Sequence, residues 1–391
     1  MTILSLASKQ IWPHVLTAGR LKPDRVFLLH SQDANESRDP AKRLKKFFDD
    51  TGLVPRGGSR LELVPHDDFT GIERALDTLV TKYQLLLSDC RLNFTGGNKL
   101  MATAAFRWAA RRGVSSFYLE RGNRLTCFQP RDGDVATDSE PLDGHIADNL
   151  DPVALLRCQL DASEIQRPGQ TLILNAAGRK LADGEFYKRI QNGSDTRQLL
   201  CCLGQADRDW KDGDALEFAA AAALLKLGIL RVQRSLRLKV RSSQQTGTRQ
   251  PHAEIDLVFT WGGRLWLVDC KDRKPVENLA DALEPHLPRQ MPSTAMDLFN
   301  RIRNELSIGE TKAIKQDLLA IREAGGLLGN IVCVRRAPMP EEAMQYAHNN
   351  NIPVILKGNL VEGLRNLILP NRLASSEELK SLTTARTRAS A

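Results

Sequence analysis

The sequence predicts two α/β domains in series, and three observations carry that reading. The chain has 391 residues, too many for one ordinary hydrophobic core. Its first 150 residues alternate short apolar runs with stretches of helical periodicity, the pattern of a parallel sheet covered by helices. Between residues 214 and 271 an alanine-rich helix, a basic strand and a hairpin follow one another, which calls for a second sheet.

In the first domain, Thr2–Leu6, Arg25–His30, Leu61–Pro65, Leu92–Phe94 and Ser115–Glu120 read as strands, and 11–20, 38–51, 70–87 and 98–112 as helices. Alternation of this kind gives a Rossmann-like arrangement, whose ligands bind beyond the carboxyl ends of the strands. Two strand ends carry polar residues suited to a ligand. Ser8-Lys9-Gln10 follows the first strand, and Thr95-Gly96-Gly97-Asn98-Lys99 follows the fourth. The second segment opens a helix, so glycine amides and a helix N-terminus can face a phosphate there. The glycine-to-lysine spacing of a Walker A loop is absent. Residues 136–204 begin in a turn-rich acidic stretch and contain one helix start at Asp151, and they read as a linker with a small connecting subdomain.

The second domain opens with the helix from Asp214 to the glycine stop at Gly228. This helix is apolar nearly all round and therefore buried, where an ionised Glu217 needs a partner. Asp214-x-x-Glu217 also has capping-box spacing, which would hold Glu217 at the helix start instead. From Arg231 to Arg249 there are six basic residues and no acid. Arg237, Lys239 and Arg241 alternate with Leu236, Leu238 and Val240, giving a strand whose basic face can hold a phosphate backbone without reading bases.

The hairpin from Glu254 to Lys271 turns at Gly262-Gly263, and that register sets Asp256 opposite Asp269 and Glu254 opposite Lys271. Side chains alternate between faces, so Asp269 and Lys271 share one and Cys270 points to the other. Opposed like charges need compensation, and one lysine does not neutralise three acids. A divalent cation does, and oxygen ligands in this number suit magnesium or manganese. Such an ion activates water and stabilises charge at phosphorus, the chemistry of phosphodiester hydrolysis. The alternative is a solvated hairpin face. Beyond the hairpin, residues 272–309, with Pro275, Pro285, Pro288 and Pro292, read as an insertion beside the substrate cleft. Helix 310–323, strand 330–334, helix 341–349 and strand 352–356 complete the domain, and the Ser/Thr/Ala-rich tail 373–391 is expected to be disordered.

Composition sets outer bounds. Hydrophobic residues make up 42% and charged residues 26%, as in globular proteins, and the formal net charge of +8 permits a polyanionic partner. No apolar run reaches the length of a membrane span and the N-terminus lacks the features of a signal peptide, so the cytoplasm is the expected location. Seven cysteines form no CxxC pair and no zinc spacing, and free thiols in a reducing compartment are expected.

Asp256 and Asp269-Cys270-Lys271 resemble the PD-(D/E)XK motif of restriction-endonuclease-like nucleases, with Ile255 where the motif name has proline. The resemblance implies that Glu217, Asp256, Asp269 and the carbonyl of Cys270 hold the metal and that Lys271 joins them in catalysis, and the hairpin register adds Glu254 to the catalytic group. Taken together with Asn93-FTGGNKLMA, Leu21-KPDRVFLLHS and Gly325-Gly326-LLGN-Ile331, most of the chain resembles the CARF-domain nucleases of type III CRISPR defence. Those join a Rossmann-like sensor to a PD-(D/E)XK effector.

The implied boundaries are a sensor over 1–135, a connection over 136–204 and a nuclease over 205–372. The implied partner is a second copy, with a cyclic oligoadenylate, commonly cyclic tetra-adenylate, on the two-fold axis of the homodimer. Ser8, Gln10, Thr95, Gly96, Gly97, Asn98 and Lys99 would contact it, and activated cleavage of DNA or RNA would show little sequence preference. Two other readings stay open: a restriction or repair endonuclease that needs no activator, and a ligand-responsive nucleic-acid binder with a degenerate nuclease site. The deaminase-like His252-Ala253-Glu254 lacks its second half, and the ribonuclease-like spacing of Arg25 and His30 falls on a core strand.

Overall fold

A computed structural model describes residues 1–120, 124–131, 134–148, 150–160, 165–167, 169–173, 214–239, 252–272, 293–326 and 329–368. The chain divides into two compact units. The first comprises Met1–Ala162 with Thr260–Arg264 and Gly326–Leu328, and the second Ser163–Phe259, Leu265–Gly325 and Gly329–Ala391.

The first unit is a seven-stranded sheet in the order β3-β2-β1-β4-β5-β6-β7. Its strands are β1 (Thr2–Leu6), β2 (Arg25–His30), β3 (Ser59–Leu63), β4 (Cys90–Asn93), β5 (Ser115–Glu120), β6 (Arg124–Arg131) and β7 (Asp134–Pro141). β1 to β5 pair in parallel, while β6 and β7 add an antiparallel hairpin at one edge. The sequence placed residues 136–141 in a linker; they form the outer strand of this hairpin, whose half-exposed, polar side chains hide the alternation that marks a strand. Four helices connect the parallel strands: α1 (Trp12–Leu21), α2 (Asp39–Thr51), α3 (Phe69–Lys82) and α4 (Lys99–Arg112).

Local chemistry sets those helices. Asp68 accepts from the Gly71 N–H to cap α3, and Asn98 accepts from the Met101 N–H to cap α4. Lys45–Asp49 and Lys46–Asp50 pairs brace α2 at i,i+4. One core gathers Leu4, Leu6, Phe27, Leu29 and Leu92 from the strands with Ile72, Leu76, Met101, Ala105 and Trp108 from α3 and α4. Ile3, Val26 and Leu28 have the opposite parity, and they are buried as well, so both faces of the sheet are covered. A further helix, α5 (Pro152–Gln159), is capped by Asp151.

The second unit carries a sheet in the order β14-β13-β12-β11-β10-β8, with β9 also pairing to β10. Its strands are β8 (Ile165–Arg167), β9 (Gln170–Leu172), β10 (Val232–Lys239), β11 (His252–Trp261), β12 (Arg264–Lys271), β13 (Gly329–Arg335) and β14 (Val354–Leu356). β8 and β9 lie inside the span that the sequence left as a connection, and they belong to this sheet. β12, β13 and β14 are parallel, and β10 and β11 antiparallel.

Helix α6 (Ala215–Lys226) is buried on all sides, with Ala220, Ala221, Ala222 and Ala223 at 0–1% exposure, as its apolar sequence requires. Helix α7 runs from Ser293 to Gly325, so the expected helix over 310–323 is the last part of a continuous one of 33 residues. The insertion read over 272–309 thus ends in regular helix from Ser293. Helix α8 is Glu341–Asn349. The short helix α9 (Leu360–Ile368), which the sequence reading did not include, buries Leu360, Leu364 and Ile368 at i, i+4 and i+8. Arg241, the loop over 242–251, residues 273–292 and the tail 373–391 lie outside the described residues. No helix among the described residues is long and apolar enough to cross a membrane. Cys90, Cys127, Cys158, Cys270 and Cys333 are free thiols.

Candidate functional site

The hairpin of β11 and β12 brings a buried charged group to one place in the second unit. Asp269 is wholly buried at 0% exposure and Asp256 nearly so at 6%. The Lys271 ammonium lies 2.8 Å from Asp269 Oδ1 and 3.8 Å from Asp256 Oδ2. The backbone N–H of Cys270 donates to Asp256 Oδ2 at 2.6 Å, which fixes that carboxylate against the neighbouring strand.

Glu217 enters from the first turn of α6 and shares this electrostatic environment. Burial, then the charge of Asp256, pushes its carboxyl up to about 8. Burial pushes Asp256 up to about 7, with Asp269 adding to the rise and Lys271 opposing it. Burial works against the Lys271 ammonium, but Asp269 and Asp256 outweigh it and hold the lysine above its ordinary range.

Two arginines that the sequence reading did not assign to the site complete it. Arg234 of β10, 8% exposed, reaches Asp214 at 2.7 Å and Glu217 at 2.8 Å and lies over the Phe218 ring at 4.4 Å. Asp214 therefore occupies the N-cap position of α6 without making a side-chain capping bond, and the capping box is not formed. Arg335 of β13 donates to Asp269 Oδ2 at 3.1 Å. Only Arg234 had a signal in the sequence. Arg234 has the parity of the buried Leu236 and Leu238, which puts it on the inner face despite its place in a basic run. Arg335 ends an apolar strand next to Lys271 in register, but that pairing is not visible in one sequence.

Glu254 is exposed and stands 3.6 Å from Arg237 on β10, and its charge adds to the rise of Asp256. Arg237 is exposed, as the basic face requires, while the backbone of Lys239 continues the same strand. A cavity of about 120 Å³ adjoins the lysine, lined by Lys271 and Arg335, by Glu310, Ile314 and Asp317 of α7, and by Met339.

The donors suit a hard divalent cation in kind, because the carboxylates of Glu217, Asp256 and Asp269 supply the oxygen ligands that such ions take. Their present spacing does not close a ligand group. No three His, Cys, Asp or Glu side chains among the described residues are gathered closely enough to hold a metal ion. The physical reason is that Glu217 is drawn to Arg234, Asp269 to Lys271 and Arg335, and Asp256 to the Cys270 N–H.

In the first unit, the strand order reverses between β1 and β4, so the loops that follow them flank the crevice where such sheets bind ligands. These are the loops that carry Ser8 to Gln10 and Thr95 to Lys99. Gly96 packs so tightly that a Cβ there would sit 1.9 Å from the Leu6 carbonyl oxygen and 3.1 Å from Ser8 Oγ. Gly97 has a φ of +76°, open to glycine. Ser8 Oγ accepts from the Gln10 N–H at 3.2 Å, and Thr95 Oγ1 accepts from the Leu119 N–H at 2.8 Å. Asn98 spends its amide on structure, capping α4 and donating to the His66 carbonyl at 2.9 Å. Lys99 is exposed at the start of α4.

No family model matches the chain, and no curated protein matches it. Solved structures do share its fold over nearly the full length. Can2 from Sulfobacillus thermosulfidooxidans, in complex with cyclic tetra-adenylate, superposes with a TM-score of 0.56 at 16% identity, covering 94% of this chain and 96% of that one. Protein VC1899 from Vibrio cholerae gives 0.58 at 12% identity, over 94% and 97%. At these identities the likeness is one of fold.

Proposed function

We propose that the protein is a cyclic-oligoadenylate-activated, metal-dependent endonuclease of type III CRISPR defence, acting as a homodimer on DNA or RNA in the cytoplasm. Its first unit, built on Met1–Ala162, is then the CARF sensor, and its second, which takes in β8 and β9 as well as the expected span 205–372, the PD-(D/E)XK nuclease. The observation that carries the reading is the closure of one ammonium, Lys271, on two buried carboxylates, Asp269 at 2.8 Å and Asp256 at 3.8 Å. Supporting it are the glycine loop at the switch point of the first sheet and a fold shared with Can2, solved in complex with cyclic tetra-adenylate.

Glu217, Asp256, Asp269 and the Cys270 carbonyl would hold magnesium or manganese. When bound, the ion supplies Lewis acidity toward the scissile phosphate and makes water acidic enough to attack at neutral pH. The chain's own residues do the rest. Arg234 keeps the Glu217 side chain directed from α6, and the Cys270 N–H fixes Asp256. Lys271 turns its ammonium to the phosphate oxygen on which charge develops. Arg237 and its neighbours on β10 offer positive charge to the strand's backbone. Ser8, Gln10 and the Thr95–Lys99 loop bind the activator, and its preferential affinity for one arrangement of the dimer shifts the population toward the cleaving state.

The test is cleavage of supercoiled plasmid and of labelled single-stranded DNA and RNA with manganese, with and without cyclic tetra-adenylate, beside Asp269→Ala and Lys271→Ala. Cleavage only with the activator, lost in both variants, is the expected result. Cleavage without it makes the protein a plain endonuclease. The ion pairs that occupy every acid of the group favour one other reading, a ligand-responsive nucleic-acid binder, and retained binding without cleavage under any metal identifies it.

A further inference from the structure

Asp269 is held by two cations of unlike character. Lys271 approaches Oδ1 at 2.8 Å, is shared with Asp256 at 3.8 Å, and keeps 31% of its side chain exposed. Arg335 donates to Oδ2 at 3.1 Å, and its side chain is only 9% exposed. The parallel ladder explains why both arrive on the same carboxylate: Arg335 is the register partner of Lys271, and Cys333 that of Asp269, so strand parity brings the two cations onto the face of Asp269. Both cations also line the cavity beside Glu310 and Asp317 of α7.

Their duties differ on physical grounds. A lysine that serves a substrate must loosen from its carboxylate, because its compact charge makes one strong contact at a time. With no other cation, a carboxylate at 0% exposure would then be left uncompensated in a medium of low polarity and would swing away from its place. A guanidinium does not deprotonate, and it holds its donors in a fixed plane. Resting on the nuclease reading above, we infer that Arg335 is a positioning residue that holds the Asp269 carboxylate in place, with its Oδ1 presented, while Lys271 engages substrate. It acts through Asp269 rather than by touching the reacting atoms.

The experiment compares full-length Arg335→Gln and Arg335→Lys with the parent protein, at a temperature below all three melting points. Two quantities are read: steady-state cleavage with activator and manganese, and Mn2+ binding by electron paramagnetic resonance without nucleic acid. Arg335→Gln is expected to lower kcat and weaken Mn2+ binding, each by about 10- to 100-fold, with KM unchanged. Arg335→Lys, which retains the charge and loses the planar fork, recovers part of both and covers the case in which the glutamine variant does not fold. A kcat within about threefold of the parent, or a rise in KM alone, overturns the inference. If the parent cleaves nothing but Arg335→Gln still weakens Mn2+ binding, the nuclease reading fails and the positioning role stands. Unchanged Mn2+ binding in Arg335→Gln removes the positioning role whatever the activity.

Discussion

The ammonium of Lys271 stands 2.8 Å from the carboxylate of Asp269, two residues back on the same strand. Because Asp269 also holds Arg335 at 3.1 Å, loss of the lysine leaves the acid with one cation. Lys271→Met is therefore expected to lower cleavage by about 100-fold or more while costing only about 1–3 kcal/mol of stability. Cleavage rates and thermal unfolding of the same preparation check both halves. A variant that melts far earlier yet cleaves normally would assign the lysine to structure alone.

Asp256 is kept at the site against its own electrostatics. Its folded value of about 7 lies above the ordinary carboxylate range, so the folded chain binds a proton that the unfolded chain has released. The stability that this proton supplies is full below the ordinary range and is lost as pH rises through 7. Asp256→Asn removes the loss, and the variant should be more stable than the parent at pH 8 by about 1–3 kcal/mol, with no advantage near pH 4. Chemical denaturation at a series of pH values reads the difference, and an advantage that does not grow with pH would contradict the assignment.

The same protons compete with metal. Glu217 near 8 and Asp256 near 7 must both ionise to accept a divalent ion, so the rise in melting temperature produced by manganese should be small at pH 6 and grow toward pH 8.5. Glu217→Gln should reduce that rise. A shift independent of pH, or unchanged in Glu217→Gln, would place manganese elsewhere on the protein.

What the sequence made legible follows from how local the signals were. Three strands of the first sheet, Thr2–Leu6, Arg25–His30 and Ser115–Glu120, lie at their expected bounds because each is a short apolar run closed by turn residues. The neighbourhood of Asp256, Asp269 and Lys271 was also local, since one hairpin turn sets it. Arg335 was not legible, because its place beside Lys271 depends on a parallel pairing between strands 64 residues apart in register, from 271 to 335. β8 and β9 are three residues each, too short for any periodicity to show. Asn98 is expected among the ligand contacts of a Gly-Gly-Asn-Lys segment, and only the structure shows its amide engaged by Met101 and His66.

That division of labour within one loop makes the last prediction. Gly96 lies where a Cβ would meet the Leu6 carbonyl at 1.9 Å, so Gly96→Ala forces the loops after β1 and β4 apart at the place where the ligand is expected. Asn98→Ala removes the α4 cap and leaves the glycine loop in contact with β1, at a cost of about 1 kcal/mol in stability. Calorimetric titration with cyclic tetra-adenylate should accordingly show Gly96→Ala losing affinity by more than about tenfold, and Asn98→Ala losing much less while melting earlier. If Asn98→Ala loses affinity as heavily as Gly96→Ala at a temperature where both are folded, the asparagine touches the ligand and its capping bond is given up on binding. If neither loses affinity, the activator does not bind at the crevice between β1 and β4, and the sensor assignment fails with it.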